Sequence, residues 1–456
     1  MSDTIAAIAT GGGISAIGII RISGGGAVAA ADSVFRAING QRLADAEDRR
    51  MYYGELRCAN GRLIDLCLCV VSRGPGSYTG EDMVEFHCHG SPMVLSEALR
   101  ALFSNGVRQA LPGEFSKRAF LNGRMDLTQA EAVIDLIEAE TPMAVWNAAG
   151  QLRGAVGLRL ETIYSSLLDI VAHFHAVVDY PDEDIDDFKT QGYVSTLLNA
   201  KQELNRMLAT YERGRVLRDG IPTAIIGRPN TGKSSLLNAL LGYDRAIVTD
   251  LPGTTRDTIE EKIFFGGVVL RLIDTAGLRK TDSTVEKLGV ERARGAMYGA
   301  GFVVLVLDGS EPLWNEDFEA LRSIPADVPK IAAVNKSDLP NALDLDELTR
   351  LGIGYFRVSA LTGAGLEVLD AEIRRMFPEP EVVATGEIIT NARQSEAISR
   401  AIDSVDLALA SVRASVTPDA ILTDIEAALT AIGLATGKVM REDVMTRIFE
   451  RFCVGK

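Results

Sequence analysis

The residues best suited to chemistry form one short run, GRPNTGKSS, from Gly227 to Ser235. Its spacing fits G-x-x-x-x-G-K-[ST] through Gly227, Gly232, Lys233 and Ser234, with Asn230 and Thr231 inside the loop and Ser235 just after it. Backbone N–H groups of such a loop cradle phosphates, the lysine reaches the terminal phosphate oxygens, and the serine hydroxyl faces Mg²⁺. Asp274-Thr275-Ala276-Gly277 follows later. An aspartate at a strand end can hold the Mg²⁺ shell, and the glycine lets the backbone meet a γ-phosphate. Asn335-Lys336-Ser337-Asp338 then selects the base. Asp338 can accept from guanine N1–H and from the 2-amino group, whereas adenine would leave a buried carboxylate unpaired. Ser359-Ala360-Leu361 matches a loop that backs the base. The ordered set specifies a GTP site.

Two details bear on hydrolysis. Leu278 follows the DTAG run, so the water-positioning glutamine of Ras-type switches is absent there. Asp282 and Glu286 are the downstream candidates for that task. The TDLPGTTRD run carries Thr249, Leu251, Thr254 and Thr255, and the two adjacent threonines can offer hydroxyl oxygen to metal and phosphate.

These motifs require particular elements. TAIIG reads as a strand before the phosphate loop and SLLNALLG as the helix after it; VVLRLI and KIAAVN read as strands ahead of Asp274 and Asn335. Residues 216–378 alternate in this way. Residues 1–118 read as mixed α/β, with LIDLCLCVV and MVEFHCH as strands and turns at Asn60-Gly61 and Gly74-Pro75-Gly76. Residues 119–215 and 379–456 carry Ala, Leu and Glu at helical spacing. The expected architecture is multidomain α/β plus all-α: an N-terminal α/β domain and a helical domain, the latter interrupted by an inserted Ras-like P-loop G domain.

The 456 residues suffice for about three domains. A net charge of −15 argues against coating nucleic acid by bulk electrostatics, although a local basic patch or a basic partner could bring RNA close. No apolar run reaches the ~18 residues of a membrane span, and MSDTIAAIATGGG lacks the features of a secretory signal. Cys58, Cys67, Cys69, Cys88 and Cys453 form an odd set without C-x-x-C, as expected of a reduced, cytoplasmic protein.

The G-domain motifs are similar to those of the Era and Der GTPases. The rest of the chain narrows the likeness. AIGIIRISG, YTGEDMVEFHCHGSP, LPGEFSKRAFLNGRMDLTQAEAVIDLI, DYPDEDI and the terminal FCVGK resemble the MnmE (TrmE) family of tRNA-modifying GTPases along the whole chain. The resemblance implies a homodimer joined through N-terminal domains that bind a 5-formyl- or methylene-tetrahydrofolate. It implies a heterotetramer with the flavoprotein MnmG, acting on C5 of the wobble uridine of certain tRNAs. It further implies K⁺-stimulated hydrolysis, with Asn230, Thr249, Leu251 and Thr254 around K⁺, Ser234 and Thr255 on Mg²⁺, and Glu286 orienting water. The folate site carries over onto Arg21, Glu85, Arg124 and Lys456. An Era/Der-like ribosome-assembly switch is the competing reading; the lack of a second P-loop and of a GXXG module after the G domain speaks against it.

The tail CVGK is a poor prenylation box, since Gly455 is not aliphatic and Lys456 is not a usual end residue. The resemblance instead implies that Cys453 faces the folate, as a reacting thiol or as an orienting one. His87/His89 share a strand face and could chelate, but no further ligands are near in sequence; His173 and His175 diverge on a helix. The acidic run from Asp182 to Asp187 fails the calcium-loop test, because position 6 is Asp187 and position 12 is Tyr193.

Overall fold

The computed structural model describes residues 3–179, 190–244, 261–273, 299–378, 386–440 and 442–456. The acidic run from Asp182 to Asp187 lies outside them.

The first sheet gathers β1 (Ile5–Ile8), β2 (Ser15–Ser23), β3 (Phe35–Ala37), β4 (Met51–Arg57), β5 (Leu63–Ser72), β6 (Met83–Gly90) and β7 (Arg108–Gln109), in the order β3-β4-β5-β6-β2-β1-β7. Its long strands pair antiparallel, so period-two alternation can bury one face only. β5 shows this: Asp65, Cys67, Cys69 and Val71 point inward, while Leu66 and Leu68 stay exposed. Helices α1 (Ala27–Val34) and α2 (Pro92–Phe103) share the buried core with this sheet.

Next come α3 (Glu114–Leu121), α4 (Leu127–Ile137), α5 (Pro142–Leu152), α6 (Ala155–Asp179), α7 (Val194–Leu208) and α8 (Tyr211–Asp219). Asp126 starts α4 with a capping box: its carboxylate accepts from the Gln129 backbone N–H, and Gln129 accepts from the Asp126 N–H. The expected boundary after residue 118 falls inside α3, and that after 215 falls inside α8. Composition changes gradually where a helix joins two units, so it does not mark the joint.

The second sheet contains β8 (Ile221–Ile226), β9 (Glu261–Phe265), β10 (Val268–Leu272), β11 (Phe302–Asp308), β12 (Lys330–Asn335) and β13 (Tyr355–Arg357), ordered β13-β12-β11-β8-β10-β9. All its pairings are parallel except β9 with β10. Every residue of β11, FVVLVLD, is buried, because alternate side chains enter separate cores on the two faces. The described helices around it are α9 (Lys233–Asp244), α10 (Asn315–Ser323), α11 (Leu345–Arg350) and α12 (Leu366–Met376).

The chain then returns to helices α13 (Ala392–Arg413), α14 (Pro418–Thr436) and α15 (Glu442–Phe449). One apolar core unites α6 and α7 with α13 and α14, so helices before and after the second sheet bury the same surface. The two crossings are stitched together. Ile388 O accepts from the side chains of Asn147 and Gln151, and the Ile389 N–H donates to Thr210 Oγ1 at 3.0 Å. Helix α15 packs Met445 and Phe449 against Leu127 and Ala130 of α4. No helix among the described residues is long and apolar enough to cross a membrane.

Candidate nucleotide and tail sites

The phosphate loop leaves the end of β8 where its neighbours β11 and β10 continue the sheet in opposite directions. That is the switch point at which open parallel sheets bind ligands. Gly232, at φ +93°, lies so close to Asn335 that an added Cβ would overlap its amide. Asn230 holds φ +65°, a conformation uncommon for a side-chain-bearing residue. Thr231 is fully buried and donates to Arg228 O at 3.0 Å. Lys233 Nζ donates to the loop's own carbonyls, Gly227 O at 2.8 Å and Arg228 O at 2.7 Å. Burial, then the Arg228 charge, pushes this ammonium below its ordinary pKa. An anion in the loop would offset both effects. Ser234 follows in the first turn of α9, and Ser235 is exposed beside it.

Asn335 ties the phosphate loop to the base-selecting loops. Its amide Nδ2 donates to Thr231 O at 2.9 Å, and its Oδ1 accepts from the Ala360 N–H at 2.9 Å. Ser359 Oγ donates to Asp338 Oδ1 at 2.5 Å and so aims the carboxylate. Lys336, at φ +63°, pairs with Asp308 at the end of β11. Burial raises the Asp308 pKa, but Lys336 and the two Ser310 donors outweigh it and hold the group below the usual carboxylate range.

Thus Gly227, Asn230, Thr231, Gly232, Lys233, Ser234, Asn335, Lys336, Asp338, Ser359 and Ala360 are gathered in linked loops beyond the ends of β8 and β12. Thr249, Leu251, Thr254, Thr255, Asp274, Thr275, Ala276, Gly277, Asp282 and Glu286 lie outside the described residues. Two supports escaped the sequence reading: Asp308, and a bracket behind the loop. In the bracket Arg228 contacts Glu311 at 2.5 Å and Asp317 at 3.4 Å and lies over Trp314 at 5.4 Å. Asp308 belongs to no motif, although an aspartate ending an apolar strand was a usable signal for it; Arg228 lies within GRPNTGKSS, but its partners belong to no motif.

The chain's end forms a second candidate site. The Gly113 N–H donates to Cys453 O at 3.3 Å, and the Phe115 N–H donates to Lys456 O at 3.2 Å. Gly455, at φ +98°, sits where an added Cβ would overlap Ile8 O. The tail thereby reaches the paired strands β2 and β6, on which Arg21 and Glu85 are direct partners. Arg21 Nε bonds Glu85 Oε1 at 2.7 Å, and its Nη1 reaches Gly455 O at 3.4 Å. The Arg21 guanidinium lies between the rings of Tyr78, at 5.3 Å, and Phe115, at 5.7 Å. Burial first and Arg21 second push the Lys456 ammonium down; Glu85 opposes them. His87 Nε2 is buried without a hydrogen-bond partner among the described residues, 3.8 Å from Glu85 Oε2. Arg124 is exposed in the turn between α3 and α4, beside Gly80. Cys453 is a free, exposed thiol. His89 is engaged by Asp65 at 2.7 Å.

A mostly parallel sheet with a phosphate loop at its switch point and an Asn–Asp pair in the adjoining loop defines the class: a P-loop nucleotide-binding protein of the GTPase type. Comparison with known proteins specifies it further. The model of the GTP-binding protein TrmE N-terminus matches residues 4–124, and the model of the MnmE helical domain matches residues 127–453. The tRNA modification GTPase MnmE of Clostridioides difficile (strain 630) is 39% identical over 100% of both chains. Those of Natranaerobius thermophilus and Symbiobacterium thermophilum are 40% and 41% identical, over 100% of this chain and 99% of theirs. Among solved structures, the G domain of the T. maritima FeoB iron transporter covers 34% of this chain and 98% of its own at 28% identity, with a TM-score of 0.26. The chain belongs to the MnmE family of tRNA modification GTPases.

Proposed function

We propose that this protein is a K⁺-stimulated GTPase that, with a flavoprotein partner, modifies C5 of the wobble uridine of certain tRNAs from a tetrahydrofolate one-carbon donor. The observation that carries the reading is the convergence of Arg21, Glu85 and Lys456, from three distant parts of the chain, on a protein with a guanine-reading module. Arg21 and Lys456 suit the carboxylates of a glutamate tail, Glu85 suits a pterin donor edge, and the unpartnered His87 Nε2 leaves a polar atom for a ligand. Arg124 would join them from the α3–α4 turn. Cys453 either reacts or orients in the same place.

In the G domain, Ser234 and Thr255 supply the hard oxygen donors that Mg²⁺ prefers, and Asn230, Thr249, Leu251 and Thr254 do so for K⁺. When bound, the two cations would neutralise charge on the phosphates, and the folate would supply the one-carbon unit. Lys233 transfers its hydrogen bonds from the loop carbonyls to the phosphates; Glu286 orients water; Asp338, held by Ser359, reads guanine. The reading includes domains at 1–118, 119–215 with 379–456, and 216–378, a cytoplasmic homodimer, and a heterotetramer with MnmG.

Mass spectrometry of nucleosides from bulk tRNA tests it, comparing cells with and without the gene. Loss of C5-substituted wobble uridines with normal ribosome profiles is expected. Unchanged uridines with accumulated ribosome precursors would favour the Era/Der-like switch. In vitro, GTP turnover in KCl should far exceed that in NaCl, and Asn230→Ala should reduce the difference.

A further inference from the structure

A cavity of about 380 Å³, lined by residues assigned to neither site, lies between α4, α8, the start of α13, α15 and the turn after α15. Four arginines line it, Arg218, Arg393, Arg447 and Arg451, against Glu131 and Glu138. Two of the arginines are already committed. Arg393 holds Glu131 with both arms at 2.8 Å and also donates to Leu434 O and Ala435 O. Arg218 pairs with the buried Asp135 at 3.1 Å. What remains on the wall is Arg447 and Arg451 against Glu138. Both arginine side chains are exposed, and neither makes an ion pair or hydrogen bond among the described residues.

Arg447 lies in the last turn of α15 and Arg451 in the turn that follows it, so one short segment brings both charges to the cavity. Ile448 and Phe452 of the same segment give the cavity an apolar floor. Planar guanidinium pairs over an open, partly apolar cavity suit a phosphodiester with its ribose or base beneath, since arginine matches phosphate oxygens with two parallel donors. The cavity also touches both crossings to the second sheet, through Arg218 in α8 and Arg393 in α13.

We propose that this cavity is a docking point for the RNA backbone, in which Arg447 and Arg451 hold phosphates of the tRNA. This rests on the reading of the chain as acting on tRNA, and it places a basic patch on a protein of net charge −15.

The test is filter binding of an unmodified tRNA transcript to the full-length chain, from about 50 to about 200 mM KCl, where phosphate neutralisation shows as salt dependence. The Arg447→Glu/Arg451→Glu variant should bind on the order of tenfold more weakly at low salt, and its log–log salt slope should flatten by about 0.7–0.9 for each phosphate no longer neutralised. Arg447→Gln/Arg451→Gln removes the charges without reversing them and should show the same trend, and basal GTP turnover should be unchanged in both. Wild-type affinity and slope in both variants would overturn the proposal, as would failure of the wild-type chain to bind the transcript. If the variants keep tRNA binding but no longer bind inorganic phosphate, the cavity takes a small anion instead, which equally overturns it. Nucleoside analysis separates the two levels. If deletion of the gene leaves wobble uridines unchanged, the tRNA reading itself fails. If deletion removes the modification and the glutamate variant restores it fully with wild-type binding, only the cavity assignment fails.

Discussion

The two candidate sites are built on opposite plans. In the nucleotide site the ligand-facing groups of the phosphate loop are consecutive in the chain, and most are backbone atoms between Gly227 and Ser234. In the tail site they are side chains from residues 21, 85 and 456, joined only by strand pairing and by docking of the last four residues. A contiguous backbone site needs glycines and a lysine at fixed spacing, and so leaves a motif. An assembled side-chain site needs only that distant positions meet, and leaves none. The first plan should tolerate changes far away in the fold; the second should fail when its assembly fails.

The largest effect tests the part of the nucleotide site that does rely on side chains. Asp338→Asn replaces a two-lone-pair acceptor by an amide that both donates and accepts. GTP should bind about 100-fold more weakly or worse, since a buried mispaired polar group costs about 1–3 kcal/mol or more. Xanthosine triphosphate, whose C2 carbonyl accepts, should bind better to the variant than to the parent. Equal GTP affinity in a competition titration would mean that Asp338 does not touch the base.

Asn335→Ala comes next. It removes a side chain with one bond to the phosphate loop and one to the Ala360 N–H, leaving Thr231 O and that N–H unpaired in a buried place. GTP affinity should fall about tenfold to 100-fold, and release should accelerate. A change confined to release of the base, with phosphate binding intact, would show that the two loops are held together by something besides Asn335.

Gly455→Val breaks the comparison most directly, because it strikes the assembly of the tail site alone. The new Cβ meets Ile8 O, and the residue must also hold φ +98°. Binding of a folate analogue, followed by intrinsic fluorescence, should weaken by about tenfold or more through strain of this kind, while GTP affinity stays unchanged. Equal losses at both sites would show that the tail supports the whole molecule and that the plans are not independent.

The same contrast explains what the sequence disclosed. Gly227 to Ser234, Asn335 and Asp338 were legible because each motif states a local geometry, and KIAAVN was legible as a strand because an apolar run leads straight into Asn335. Arg21, Glu85 and Lys456 were reached only by resemblance. No spacing rule links a β2 arginine to a chain end, and the Arg21–Glu85 register is a property of the pairing. Arg228 was hidden for a related reason: its partners Glu311, Trp314 and Asp317 belong to α10 and the loop before it, where charged residues at a helix start look like ordinary capping. The ends of α3 and α8 were obscured because each helix runs through an expected boundary. The Arg447/Arg451 cavity escaped because its walls come from four elements that no motif or spacing rule links.

The smallest effect concerns the charge at the end of the chain. Burial and Arg21 hold the Lys456 pKa below its ordinary 10.5 in the folded protein. Between that lowered value and 10.5 the unfolded chain therefore binds more protons than the folded one, so stability rises with pH across this window. The unfavourable contribution is fully present below the folded pKa, where Lys456 is charged beside Arg21, and vanishes as the ammonium loses its proton. Lys456→Met removes the titrating group while keeping much of the stem. Thermal midpoints measured at intervals up to pH 10.5 should rise less steeply for the variant than for the parent, and the variant should be the more stable of the two at neutral pH. An anionic ligand at Arg21 and Lys456 would abolish the repulsion, so saturating folate analogue should flatten the parent's slope toward the variant's. Parallel slopes for parent and variant without ligand would mean that the tail does not bring Lys456 against Arg21 in solution, and the side-chain site would lose its last member.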